Sequence, residues 1–219
     1  MFRFILVSAV GLSMFAVACM AVASGEFTVG AVAVEMLCAA FIFVACVVYR
    51  PLNDGESAVV VDEKGVKNGD YRVYLTDSAF CLPAIEHMVR VTRKPAQFEI
   101  RITPQDGMFT YDGCSIEAVV QLKAVVMWGD DLPRVVSHLG NNTTTTIDTA
   151  TLEKFVRSTF LAVLAKEVKL STAIELAGDN VAAAKIIFRG RVNQEMLRVC
   201  KKAGVTVELY FDEFTLVPA

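Results

Sequence analysis

The chain has 219 residues, a hydrophobic fraction of 54% and a formal charge of -3. That balance excludes binding to nucleic acid through a global basic excess. The lack of a C-x-x-C pair, with only two histidines, excludes a zinc site defined by ligand spacing, and the odd number of cysteines beyond the first fifty residues, Cys81, Cys114 and Cys200, argues against a disulfide framework.

The apolar excess lies in the first fifty residues, where the charges are Arg3, Glu26, Glu35 and Arg50. Two runs, 4–23 and 29–49, are each about the length a helix needs to cross a bilayer, roughly 20 residues. The short segment 24–28 suits a hairpin turn between them. Arg3 before the first run and Arg50 after the second place both ends, and the domain, on the cytoplasmic side by the positive-inside rule. Localisation is therefore read as a two-span membrane protein. The alternative for the first run is a cleaved signal peptide, with Arg3 as its basic start and Ala21-Val22-Ala23 as its cleavage site. It leaves one span and delivers the domain to the same side. Within the runs, small residues such as Gly11 and Gly30 would let helices approach closely in lipid. Glu35 is an ionisable group in a span, where a charge costs about 2.5–3.5 kcal/mol near mid-bilayer. It has no cationic partner in either run, and two readings stand: a role in helix association, or a neutral or snorkelling side chain near the outer end.

Residues 51–57 are polar and turn-rich, a short linker, and 58–219 form the domain. Ala58 to Asp62 is a strand. Tyr71, Val73 and Leu75 alternate with polar neighbours, as do Val89 and Val91 within 87–93, and Phe98, Ile100 and Ile102. Asp112-Gly113 marks a hairpin turn before a long strand whose inner face is Ile116, Ala118, Val120, Leu122, Ala124 and Val126. A short helix follows, capped by Asp130 or Asp131, with Pro133 in its first turn and its end near Leu139. After a polar connector, 141–146, Asp148 caps a helix with Leu152, Phe155, Val156, Phe160, Val163 and Leu164 on one face. A last helix, about 180–203, carries Val181, Ala184, Phe188, Val192 and Met196. It ends on Lys201, Lys202 and Gly204, and a final strand holds Val205, Val207, Leu209 and Phe211. The fold class is α+β: a two-helix membrane hairpin, then antiparallel strands packed with helices.

No sequence signature for catalysis is present: H-E-x-x-H, the P-loop, G-x-G-x-x-G and G-x-S-x-G are all missing. The domain is read as non-enzymatic, without cofactor or metal. Cys81, Cys114 and Cys200 are an odd set of reduced thiols. Arg50, at the end of the second run, and Arg90, Arg93 and Lys94 form a candidate surface for anionic lipid headgroups. The basic residues of the last helix read as a solvated face balanced by Glu195 and other acids.

Three stretches carry a likeness. They are Leu82-Pro83 followed by the strand through Val91; Phe109-Thr110-Tyr111-Asp112-Gly113 leading into the long strand; and Arg189 to Pro218, with Ala203-Gly204-Val205-Thr206-Val207 and a terminal Val217-Pro218. In order and spacing, from about Ala58 to Pro218, they resemble the SPFH or band 7 family (stomatin, prohibitin, flotillin and the bacterial HflK/HflC-like proteins). The resemblance implies a membrane-bound scaffold that self-associates laterally and organises or regulates other membrane proteins, in several relatives a membrane protease. It implies membrane lipids, further copies of the chain and an integral membrane protein as partners, and no nucleic acid. In most members an Ala/Glu-rich coiled coil follows the closing proline and helps to build rings. Here the sequence stops at Ala219, so a ring by that route is not expected. The competing expectation is an accessory subunit of one integral membrane partner.

Overall fold

The computed structural model describes residues 36–40, 42, 49–62, 71–75, 78–82, 86–140, 145–177 and 181–217. The predicted span 4–23 therefore falls outside the described residues; of 29–49, residues 36–40 and 42 are described and helical, while Tyr49, expected to end the span, opens a strand instead. Among those residues, no helix is long and apolar enough to cross a membrane.

Among the described residues the strands form three sheets. β1 (Tyr49–Pro51) pairs with β4 (Ser78–Phe80) as a short ribbon. β2 (Glu56–Asp62), β3 (Tyr71–Tyr74), β5 (Glu86–Thr92) and β8 (Thr146–Ile147) form a four-stranded sheet in the order β3-β2-β5-β8. The third sheet has the order β6-β7-β9, from Ala96–Ile102, Ser115–Val126 and Val205–Val217. Every pairing is antiparallel except the parallel contact of β5 with β8. The mixed α+β class with antiparallel sheets is thus as predicted.

Residues 51–57, expected as a linker, carry regular structure: Pro51 ends β1, residues 53–55 turn, and Glu56 opens β2. Gly55 sits at φ 82°, a left-handed conformation that disfavours any side chain. The unbroken run Ala58-Val59-Val60-Val61 is buried on both faces, which explains its lack of alternation. Val59 and Val61 join Val89 and Val91 in the main core, while Ala58 and Val60 meet Ala79 and Cys81 beneath the β1–β4 ribbon. β3 is an edge strand. Val73 packs inward, but Tyr71 and Leu75, expected on the same face, are exposed.

On β7 the predicted inner face from Ile116 to Val126 is buried throughout. β9 keeps its forecast inner face through Phe211, with Val205 and Val207 buried and Leu209 and Phe211 packed partly buried against the core, and departs only beyond it. A bulge at Asp212 makes Val120 face Phe211 and Val119 face Glu213, so the side-chain parity flips. The flip turns Phe214 inward as well as Phe211, and the two rings meet edge to face at 6.2 Å.

Helices α1 (Leu132–Leu139), α2 (Thr149–Lys169), α3 (Ala173–Ala177) and α4 (Val181–Lys202) supply the rest of the core. Asp148 caps α2 as expected, accepting the Thr151 backbone N–H at 2.8 Å. Asp131 precedes α1, but its carboxylate accepts Arg134 at 2.7 Å and makes no cap hydrogen bond. Phe160 and Phe188 are fully buried; Phe155 is partly buried. Gly204, at φ 73°, ends α4 and turns the chain into β9. A side chain there would strike the Asp131 carbonyl and Val135, each 2.8 Å from the position of a Cβ.

Candidate functional site

The four predicted surface cations gather around the start of the domain in two groups. Arg50 and Arg90 form the first. β1 is fixed by its ladder to β4, with Arg50 opposite Ala79. β5 is held between β2 and β8, with Arg90 opposite Ala58 and Thr146. Its backbone N–H also donates to the Thr145 carbonyl at 2.9 Å. Both arginines line an open cleft of 440 Å³ whose other walls come from His87, Met88, Thr145 and Thr146, together with Cys81 and Glu86.

Nearby acids are already engaged. Glu86 is ion-paired with Arg72 and accepts the Leu82 backbone N–H at 2.8 Å. Glu56 lies 3.8 Å from Arg90, at the long end of ion-pair distances, and accepts two hydrogen bonds from Asn53, each 3.1 Å. Burial pushes the Glu56 pKa up. Its hydrogen bonds from Asn53 and the charges of Arg90 and Lys94 outweigh that and hold it below the usual range. Arg50 makes no ion pair among the described residues. Burial, reinforced by Glu86, raises the Cys81 thiol despite Arg50 and Arg72. Cys81 is therefore a neutral wall residue and not a thiolate.

Arg93 and Lys94 form the second group, in the connection from β5 to β6. The Arg93 backbone N–H donates to the Gly55 carbonyl at 2.7 Å, and its guanidinium lies 4.7 Å over the ring of Trp128. Lys94 runs along Gly55, with carbons 3.8 Å from where a Cβ would sit there. The turn that brings the chain into the domain is thus held by the Arg93 backbone and the aliphatic stem of Lys94. Trp128, 47% exposed, offers an aromatic face beside them. Gly11, Gly30 and Glu35, the predicted intramembrane residues, lie outside the described residues.

Several other predicted features turn out to be structural. The last helix is not simply a solvated basic face. Lys185 donates to the Phe214 carbonyl at 2.9 Å, Arg189 lies over Phe211, and Arg191 reaches Glu167 and Ser171. The part that does match the forecast is Arg198, whose guanidinium pairs with Glu195 at 2.6 Å. In the Thr110-Tyr111-Asp112-Gly113 turn, the Thr110 hydroxyl donates to Asp112 at 2.7 Å, and Asp112 accepts the Ala173 N–H at 2.8 Å. This turn pins the start of α3 to the mouth of β7. Cys200 is buried and its thiol is pushed up to about 12 by burial.

Neither a protein-family model nor a curated protein matches the chain. His87, Met88, Thr145 and Thr146 join the cleft only through tertiary pairing. The one signal for the threonines was their β-branched run before Ile147, and a two-residue strand is too short to show a period.

Proposed function

We propose that the chain is a membrane-anchored scaffold, held by the apolar runs 4–23 and 29–49 with its α+β domain on the cytoplasmic side. It self-associates laterally and organises or regulates other membrane proteins, a membrane protease among them. The observation that carries this reading is the tightness of the tether. Arg50, which directly follows the second apolar run, already belongs to β1, and the 53–55 turn is bonded to Arg93. No free linker separates the run from the domain, so the face bearing Arg50, Arg90 and Lys94 lies within reach of the headgroups. Each basic residue near such a surface contributes about 1 kcal/mol.

Confinement to two dimensions favours weak lateral contacts by raising effective concentration. β6 and β9 are the outer strands of their sheet, and open edges are natural pairing sites. The likeness of the Thr110–Gly113 turn and the Gly204–Val207 joint to the SPFH family supports the same reading. The test is the size of the particle extracted by mild detergent from native membranes. A uniform homo-oligomer is expected. A small complex holding one copy and one other protein would replace the scaffold with the accessory-subunit reading.

A further inference from the structure

We propose that the cleft between β1, β5 and β8 is a discrete binding site for one phosphate group, of the kind an anionic phospholipid headgroup presents. The inference rests on the anchored reading above and narrows it from a diffuse basic surface to a single built site. Two arginines, carried by different elements, line one cleft. The planar fork of arginine suits two parallel bonds to phosphate oxygens, which a lysine cannot supply. Arg50 has no ion pair among the described residues, and Arg90 has only Glu56 at 3.8 Å, a carboxylate it shares with Asn53.

The remaining acid of the wall, Glu86, is neutralised by Arg72, so it does not repel an anion. Arg50, with no ion pair among the described residues, is the cation left to balance a phosphodiester monoanion. Thr145 and Thr146, in the same lining, carry hydroxyls that can serve as neutral donors for the other oxygens. A volume of 440 Å³ holds a phosphate with a small polar head but not a lipid's chains. The chains need not enter, because Arg50 directly follows the second apolar run. A headgroup can therefore reach the cleft while its tails stay in the bilayer.

The test uses the full chain in a nonionic detergent, titrated with short-chain phosphatidylglycerol, short-chain phosphatidylcholine and inorganic phosphate, and read by calorimetry. Phosphatidylglycerol is expected to saturate at one per chain. Arg50→Gln and Arg90→Gln should each weaken it by roughly tenfold or more. Arg101→Gln, whose guanidinium pairs with Glu99 on β6 outside the cleft, should leave it unchanged. Melting curves establish that each variant is folded. Saturation by inorganic phosphate alone, with the same dependence on both arginines, also supports the site and assigns it to a soluble phosphate compound. Binding that never saturates at one, that ignores Arg50→Gln and Arg90→Gln, or that is absent for all three probes overturns the site. Alkaline extraction of membranes separates this from the anchored reading. A chain released to the supernatant sinks the anchor whatever the cleft binds. A chain retained in the membrane without a stoichiometric headgroup sinks the cleft alone.

Discussion

Replacing Phe160 with alanine tests the packing of the domain most sharply. Phe160 is 0% exposed on α2 and points into the core, with its ring centroid 6.3 Å from that of Phe211 on β9. Removing a buried phenylalanine costs about 3–5 kcal/mol, because transfer energy is lost and the cavity refills only in part. An aromatic pair adds about 0.5–1.5 kcal/mol beyond area. Phe211 is only partly buried, so its share of that pair is small and the expected loss is about 4 kcal/mol. A domain of this size holds roughly 5–15 kcal/mol, so such a loss is a large fraction of the total. With each kcal/mol moving Tm by about 2–4 °C at this length, the melting point should fall by about 8–16 °C. The assay is denaturant and thermal unfolding of a fragment that begins at Tyr49, so that β1 is kept. Phe155→Ala is the internal comparison. Its ring is only partly buried, and half the loss or less is expected. A Phe160→Ala loss under about 1.5 kcal/mol, or a larger one for Phe155→Ala, would refute the assigned helix face.

The same geometry sets three further outcomes. Gly190 sits in the interior of α4 with nothing within 4 Å of a built Cβ, so Gly190→Ala should stabilise the fragment by about 0.5–1 kcal/mol in urea melts; a destabilisation would show that α4 needs the glycine internally. Under native conditions at mildly alkaline pH, iodoacetamide should label half-buried Cys114 first and buried Cys200 only on unfolding. Rapid native labelling of Cys200, read by peptide mass, would contradict its burial. Glu195 is held down to about 2, first by its hydrogen bonds from Arg198 and then by the charges of Arg198 and Lys166. A depressed carboxyl contributes stability above its ordinary pKa of 4.5 and loses it as pH falls toward 2. Melting points measured across that window should drop less steeply for Glu195→Gln than for the parent, and parallel curves would refute the pairing.

Much of the core was legible because it rests on local periodicity. The β7 alternation from Ile116 to Val126, the Asp148 cap and the Lys201–Gly204 helix end are all decided by neighbours in sequence. What was hidden depends on distant pairing. The bulge at Asp212 is set by the register against Val119 and Val120, so Phe214 could not be assigned to the core from alternation alone. β1 falls at the junction of an apolar run and a polar turn, where neither period persists, and exists because Ser78–Phe80 completes its ladder. The short α3 depends on Asp112, far back in the chain, to hold its first N–H. The candidate site divides in the same way. Its arginines were visible as charge near an apolar run. The cleft that joins Arg50 to Arg90 required β4 to dock β1 and Thr146 to pair with Arg90.

The central claim is lateral self-association on a membrane, and crosslinking tests it most directly. The full chain, in native membranes, is treated with an amine-reactive crosslinker alongside the fragment from Tyr49 in dilute solution. Anchoring both partners in a bilayer removes part of the translational and rotational entropy that a soluble dimer must lose. The expected result is a ladder of dimers and higher homo-oligomers for the full chain and a mostly monomeric fragment. A full chain that gives only monomer, or a single adduct with one other protein, would contradict the scaffold.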